Sequence, residues 1–200
     1  MIALIDYKAG NLTSVRKALA AIGAQVFTPE TAGELSQAAG VIVPGVGHFA
    51  ATRTLDREWM EAIRDLVARN RPLLGICLGM QWLFEGSEEA PDLPGLALFE
   101  GRCYRMSGNG ASVKIPHVGW NSLERRRQGW IAAGVDDGAQ VYFTHSYVAP
   151  VTPDTIASTS HGETFASIVE RGRVAGVQFH PEKSGEVGLR ILTNFLELTR

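Results

Sequence analysis

The sequence predicts an α/β fold: a central, mostly parallel sheet flanked by helices, with a β-rich second half. Three observations predict it. Short apolar segments alternate with helical patterns through the first half. Those segments are almost continuously hydrophobic, as strands covered on both faces are. From Leu96 to Gln178 the helical period gives way to short strands and turns.

The elements follow in order. "MIALIDY" reads as a first strand, and Asn11 is a good N-cap for a helix from about Leu12 to Ile22, ended by Gly23. "AQVFT" and "GVIVPG" are the second and third strands, the latter closing on a Pro-Gly turn. Leu55, Trp59, Ile63, Leu66 and Val67 fall on one stripe of a long helix. "PLLGI" is a fourth strand, and "LGMQWLFE" opens another helix. The second half offers strands at "LALFEGRCYRM", "SVKIP" (112–116), "GWNSL", "QVYFTHSYV", "TIASTS", "TFASIVE" and "VAGVQFH". A closing helix over Ser184–Thr199 puts Val187, Ile191, Leu192 and Phe195 on one side. No repeat or long linker divides the chain, so residues 1–200 are expected to form a single domain.

Bulk properties exclude some functions. A net charge of −2 gives no basic face for nucleic acid. No apolar run approaches a membrane span, and the N-terminus lacks the pattern of a signal peptide. Two cysteines, Cys77 and Cys103, are too few for a disulfide scaffold; a cytoplasmic protein is expected.

The chemistry centres on Gly75-Ile76-Cys77-Leu78-Gly79, a G-x-C-x-G version of the nucleophile elbow. A sharp strand-to-helix turn crowds the residues two before and two after the nucleophile, and Gly75 and Gly79 relieve that crowding. The following helix points its N-terminus near the sulfur, favouring thiolate, and the Leu78 N–H faces where an oxyanion would form. A buried structural cysteine would explain the motif equally well on its own. What tips the balance is "VQFHPEKS": an apolar strand delivers His180 at its C-terminal end, Pro181 stiffens the turn, and Glu182 can reach back to fix the imidazole tautomer. "VPGVGHF" brings a strand into Gly45-Val46-Gly47, where a second oxyanion N–H could come from Val46 or Gly47. It is not a P-loop, since no G-K-[ST] follows. His48 reads as a helix-start or surface residue. His117, His145 and His161 show no metal-ligand spacing, so no metal is expected, and none of these motifs calls for a cofactor. Cys103 reads as a small core residue, Trp59, Trp82 and Trp130 as packing aromatics, and Arg125–Arg127 as a solvated turn.

Taken together, GICLGMQ, PGVG and QFHPE resemble class I (triad-type) glutamine amidotransferases, which hydrolyse glutamine to glutamate and ammonia. DYKAGN, PGVGHF, KIPHVGWN, YFTHSY and QFHPEKS narrow the resemblance to the glutaminase subunits of imidazole glycerol phosphate synthases. The resemblance covers essentially the whole chain. It implies Cys77 as nucleophile, His180 as base and acid, and Glu182 as the orienting carboxylate. It implies that Gln81 and His145-Ser146-Tyr147 help hold glutamine and that Gly45–Gly47 complete the oxyanion hole. Asn11, Asn121 and Lys183 would lie toward a (β/α)8-barrel cyclase subunit. That partner would take the ammonia and make imidazole glycerol phosphate and an aminoimidazole carboxamide ribotide, in histidine biosynthesis.

One residue departs from the family. Lys8 stands where Asp-Tyr-Gly is usual: either the position needs φ > 0 and lysine is strained there, or it tolerates a side chain and faces the partner. Rival readings are the glutaminase of another synthase (anthranilate or pyridoxal phosphate), a redox or stress protein with a reactive elbow cysteine, and a cysteine peptidase or esterase. KIPHVGWN speaks against the first and His180-Pro181-Glu182 against the second; the third lacks a broad substrate-binding region.

Overall fold

Alternation along short strands decides the architecture. In β1 (Ile2–Leu4), Ile2 and Leu4 join one hydrophobic cluster while Ala3 joins another. The pattern repeats in β3 (Gly40–Val43), where Ile42 opposes Val41 and Val43, and in β4 (Leu73–Ile76), where Leu74 and Ile76 oppose Leu73. A sheet apolar on both faces must be covered on both. One face is covered by α1 (Leu12–Ala21) and α4 (Gly185–Glu197), through Val15, Leu19, Ile191, Leu192 and Phe195. The other is covered by α2 (Arg57–Ala68) and α3 (Leu78–Trp82), through Ile63, Leu66, Met80 and Trp82.

The computed structural model describes residues 1–108 and 113–200. The remaining strands are β2 (Val26–Phe27), β5 (Tyr104–Arg105), β6 (His117–Ser122), β7 (Glu124–Arg125), β8 (Gln140–His145), β9 (Tyr147–Val148), β10 (Thr155–Ser160), β11 (Thr164–Arg171) and β12 (Val174–Val177). Among the described residues the main sheet has eight strands in the order β2-β1-β3-β4-β12-β11-β10-β7. Pairing is parallel from β2 to β12 and antiparallel from β12 to β7. The late strand β12 thus lies beside β4, with Val177 opposite Ile76, so Cys77 and Gln178 leave the ladder side by side. Two antiparallel ribbons pair β6 with β8 and β5 with β9, and β8 meets the chain just after β12, where His180 N–H donates to Tyr142 O.

Several expected elements differ in extent. α2 begins at Arg57 rather than at Leu55, because the Asp56 side chain accepts from the Glu58 and Trp59 N–H groups and fixes the start there. Leu55 is buried just ahead of that cap. The helix after Cys77 lasts five residues. Its last carbonyls, and those just beyond, are taken by the segment that follows: Leu96 N–H donates to Trp82 O, Leu98 N–H to Leu83 O and Ala97 N–H to Phe84 O. That use of 96–99 also explains why the expected 96–106 strand shrinks to Tyr104–Arg105, with Cys103 bridged to Ser87 just before it. The expected strand at 112–116 begins outside the described residues, and its described part is not a strand. Arg126 and Arg127 are solvent-exposed, as expected of a solvated turn, but the segment is tied to neighbouring strands. Arg125 belongs to edge strand β7, Arg126 Nε donates to Ser158 Oγ, and the Arg127 guanidinium donates to the carbonyls of Asp154 and Glu170.

The turn after β12 is clamped from below. Ser184 Oγ donates to His180 O at 2.6 Å and accepts from Tyr142 N–H at 3.0 Å, while His180 N–H donates to Tyr142 O at 2.9 Å. α4 then packs directly under Pro181: a Cβ on Gly188 would stand 1.8 Å from the Pro181 carbonyl oxygen. Backbone cannot yield by that much without moving the turn. Gly188→Ala is therefore expected to destabilise by about 3 kcal/mol, at the upper end of overpacking penalties, measured as the shift in urea unfolding free energy.

Candidate functional site

Cys77 sits at the junction of β4 and α3 with φ +52° and ψ −108°. A non-glycine residue there carries strain of about 1–3 kcal/mol. The surroundings hold it: Cys77 N–H donates to Val177 O at 2.8 Å, and Cys77 O accepts from Gln81 N–H at 3.1 Å. The two flanking glycines are required by contact. A Cβ at Gly75 would lie 2.7 Å from the backbone of Gly79 and Met80, and one at Gly79 would lie 1.8 Å from the Val43 carbonyl oxygen. Gly79 is thus the point where α3 presses onto β3, at the back of the elbow.

His180 leaves the end of β12 beside this elbow. Its Nδ1 is 2.8 Å from Glu182 Oε1, and both side chains are almost fully buried. Glu182 can only accept, so Nδ1 carries a proton and Nε2 is turned to the other side, toward Cys77. Burial by itself disfavours the imidazolium. The Cys77 sulfur and the Glu182 carboxylate outweigh it, and His180 is pushed up to about 10.

A cavity of about 230 Å³ opens on the sulfur, lined by Gly47, Cys77, Leu78, Gln81, Glu89, Pro116 and Thr144–Tyr147. Of the residues singled out from the sequence, Gly47, Leu78, Gln81, His145, Ser146 and Tyr147 join Cys77 there. Gly45, Val46 and Gly79 do not line it. Glu89 was missed in the sequence, where it is one acid among several after α3. In the fold its carboxylate reaches into the lining and accepts from Phe49 N–H at 2.7 Å. Tyr7 was missed as well. Its hydroxyl is buried with no hydrogen-bond partner, and a Cβ at Gly45 would stand 1.9 Å from it.

Of the three expected oxyanion donors, Gly47 lines the cavity and the other two are occupied. Leu78 N–H donates to Gly45 O at 3.3 Å, and Val46 N–H donates to Ala9 O at 3.2 Å. The Gly45 carbonyl and the Val46 N–H belong to one peptide unit, so a single orientation blocks one donor and withdraws the other. Ala9 is held by its neighbour: Lys8 takes φ +62°, the strained alternative, and its N–H and Nζ both donate to Asp6.

His117 and His145 face each other across β6 and β8. Asn121 Oδ1 accepts from Ser122 N–H, so its Nδ2 donates to His117 Nε2 at 3.3 Å and to Ser160 O. His117 Nδ1 then donates to His145 Nε2 at 3.2 Å, and the His145 proton lies on Nδ1. Burial, reinforced by neighbouring imidazoles, pushes His117 down to about 4 and His145 down to about 3. Among the described residues no three His, Cys, Asp or Glu side chains are grouped as metal ligands are. Of the three residues expected toward a partner, Asn11 caps α1 through its side chain and the Asn121 amide is turned inward. Lys183 is exposed, with Nζ 5.6 Å from the Tyr142 ring centre. Val118 and Trp120, passed over in the sequence, are each 57% exposed on one side of β6. His48 caps the 3-10 turn Phe49–Thr54, and Cys103 is buried.

Comparison with known proteins agrees with this geometry. Residues 3–198 match the family Glutamine amidotransferase class-I, and the chain belongs to that family. Among its relatives are proteins called imidazole glycerol phosphate synthase subunit HisH. The one from Moorella thermoacetica is 45% identical over 203 residues, covering 100% of this chain and 95% of the relative. The one from Xylella fastidiosa is 46% identical over 198 residues, covering 98% and 97%. Two solved structures share the fold. A glutamine amidotransferase crystal structure has TM-score 0.75 at 22% identity, covering 100% of this chain and 99% of its own. PurLQS from Thermotoga maritima has TM-score 0.76 at 16% identity, covering 100% and 98%.

The histidines set opposite pH limbs. His117 and His145 are depressed in the fold, so their stabilisation is present above about pH 6.5 and is lost as pH falls. His180 is raised, so its contribution is full below about 6.5 and is lost as pH rises through about 10. Urea midpoints should therefore fall between pH 6.5 and 4.5, and Glu182→Gln should lose more stability at pH 6 than at pH 10.

Proposed function

We propose that this chain is the glutaminase subunit of an imidazole glycerol phosphate synthase, working as one cytoplasmic domain over residues 1–200. No helix among the described residues is long and apolar enough to cross a membrane. The observation that carries the reading is Cys77 on a strained elbow beside the paired His180 and Glu182, facing a cavity of about 230 Å³. Free glutamine presents an ammonium, a carboxylate and a side-chain amide. Glu89 suits the ammonium. The backbone of His145–Tyr147 and the Gln81 oxygen suit the rest, because both Gln81 Nε2 hydrogens are already donated within the chain.

The Cys77 thiolate attacks the amide carbon, and His180 gives its Nε2 proton to the nitrogen, which leaves as ammonia. The neutral imidazole then takes a proton from water as the oxygen attacks the thioester. Thiolate is expelled, glutamate forms and the imidazolium is restored. Glu182 keeps the proton on Nδ1 throughout.

Both steps build negative charge on the carbonyl oxygen. The Gly45–Val46 peptide would have to rotate to free the Leu78 N–H and bring in the Val46 N–H. Gly45 and Gly47, the latter at φ +100°, permit the rotation. One missing donor is worth about 3 kcal/mol, or about 100-fold in rate. The partner that triggers rotation is a (β/α)8-barrel cyclase subunit. It receives the ammonia and releases imidazole glycerol phosphate and an aminoimidazole carboxamide ribotide in histidine biosynthesis. The outer face of β6 and β8 suits such docking, with Val118 and Trp120 exposed, Tyr142 against Trp120 and Lys183 over Tyr142. Thr144 on the same ribbon reaches the cavity, so docking there would enclose the released ammonia.

Two measurements check the reading. Cys77→Ala with a cyclase subunit should lose glutamine-dependent synthesis and keep synthesis from added ammonium salt; retained glutamine hydrolysis would refute the nucleophile. Steady-state glutamine turnover should rise at least about 100-fold from the free chain to the complex holding its nucleotide ligand. Equal turnover in the two would refute the peptide switch.

A further inference from the structure

Gln178 is fully buried beside the elbow and has no place in the triad. Its Nε2 lies 3.6 Å from Cys77 Sγ, within hydrogen-bonding range for sulfur. An amide can be turned either way, but here the orientation is fixed by a chain of groups. The Tyr147 backbone carbonyl can only accept, so the nitrogen of Gln81 must face it, at 2.8 Å. The second hydrogen on that nitrogen points to Gln178 Oε1 at 3.1 Å. With its oxygen committed, Gln178 presents only N–H to the sulfur. The sulfur is thereby held as an acceptor, the role a thiolate fills and a thiol fills poorly.

We infer that Gln178 is a positioning residue for the Cys77 nucleophile: its side-chain amide, oriented by Gln81 and the Tyr147 carbonyl, donates to the sulfur and holds it as thiolate beside the His180 imidazole. The inference rests on the reading of Cys77 as nucleophile and adds a hydrogen-bond donor to it. Because Gln81 also lines the substrate cavity, the same chain ties the sulfur to the wall that glutamine contacts. The other titratable groups near the sulfur are His180 with Glu182 at the end of β12, Tyr7 after β1, His145 at the end of β8 and Glu89 in the cavity wall. All of these stay in place when Gln178 is replaced.

The test is alkylation of the full chain by iodoacetamide across pH, without glutamine, with Cys103 as internal control. Cys103 is fully buried and its thiol is pushed strongly up by that burial, so it should stay unmodified. In Gln178→Met, which keeps the shape and removes the donor, Cys77 alkylation at pH 7 should slow about 10-fold and its pH midpoint should rise by about one unit. A hydrogen bond to a charged group carries a factor of that order. The kcat for glutamine should fall by a similar factor with KM within about twofold. A folded Gln178→Met chain with unchanged rate and midpoint would overturn the inference. Should that variant not fold, Gln81→Met leaves Gln178 present but unoriented and should slow alkylation in the same direction; an unchanged rate there would overturn it equally. If the alkylation shift appears while the wild-type complex hydrolyses no glutamine, it is the glutaminase reading that fails and the sulfur contact that stands.

Discussion

The close approach of α3 to the end of β3 governs the rest of the site. Gly79 lies so near the Val43 carbonyl that no side chain fits between them, and Gly75 is crowded by the start of the same helix. Those contacts force the chain to reverse within one residue, and that residue is Cys77, at positive φ. The strain is small beside what sustains it, a buried parallel ladder on each side and apolar packing on both faces. Once the elbow is set, the register of β12 against β4 decides what can stand next to the sulfur. Val177 pairs with Ile76, so Gln178 is level with Cys77 and His180 follows two residues on.

The polar groups around the elbow form a connected set in which each orientation constrains the next. Glu182 fixes His180, the Tyr147 carbonyl fixes Gln81, Gln81 fixes Gln178, and Asn121 fixes His117 and through it His145. Such networks are stiff when every member is satisfied. The unsatisfied atoms are correspondingly informative. Tyr7 Oη, His145 Nδ1, His180 Nε2 and Glu182 Oε2 are buried without hydrogen-bond partners, and all four belong to residues around the sulfur or the cavity wall. In the proposed mechanism His180 Nε2 acquires its partner in the leaving nitrogen.

The alternation of apolar strands and helical stripes was enough to read the parallel half of the sheet, because β1, β3 and β4 are buried on both faces. The elbow and the His180-Pro181-Glu182 turn were legible for a related reason: their geometry is local, set by glycine, proline and a strand end. What escaped depends on contacts distant in sequence. Glu89 and Tyr7 become site residues only when the loop after α3 and the loop after β1 fold against the elbow. Likewise α3 stops early because residues 96–99 return to take its carbonyls, and Arg126 and Arg127 are ordered by strands some thirty or more residues away. Glycine content alone left Val46 and Gly47 as equal candidate donors, and the Val46 N–H is held by Ala9 across the sheet end.

In the proposed mechanism one peptide unit, Gly45–Val46, both blocks and later completes the oxyanion hole. The most direct test is a crystal structure of the complex with its cyclase subunit, liganded, with Cys77 trapped by an electrophilic glutamine analogue as a tetrahedral adduct. The adduct oxygen should lie within about 2.7–3.1 Å of both Leu78 N and Val46 N, with the Val46–Ala9 hydrogen bond broken. An adduct formed while Gly45 O still accepts from Leu78 N–H and Val46 N–H still donates to Ala9 O would contradict it.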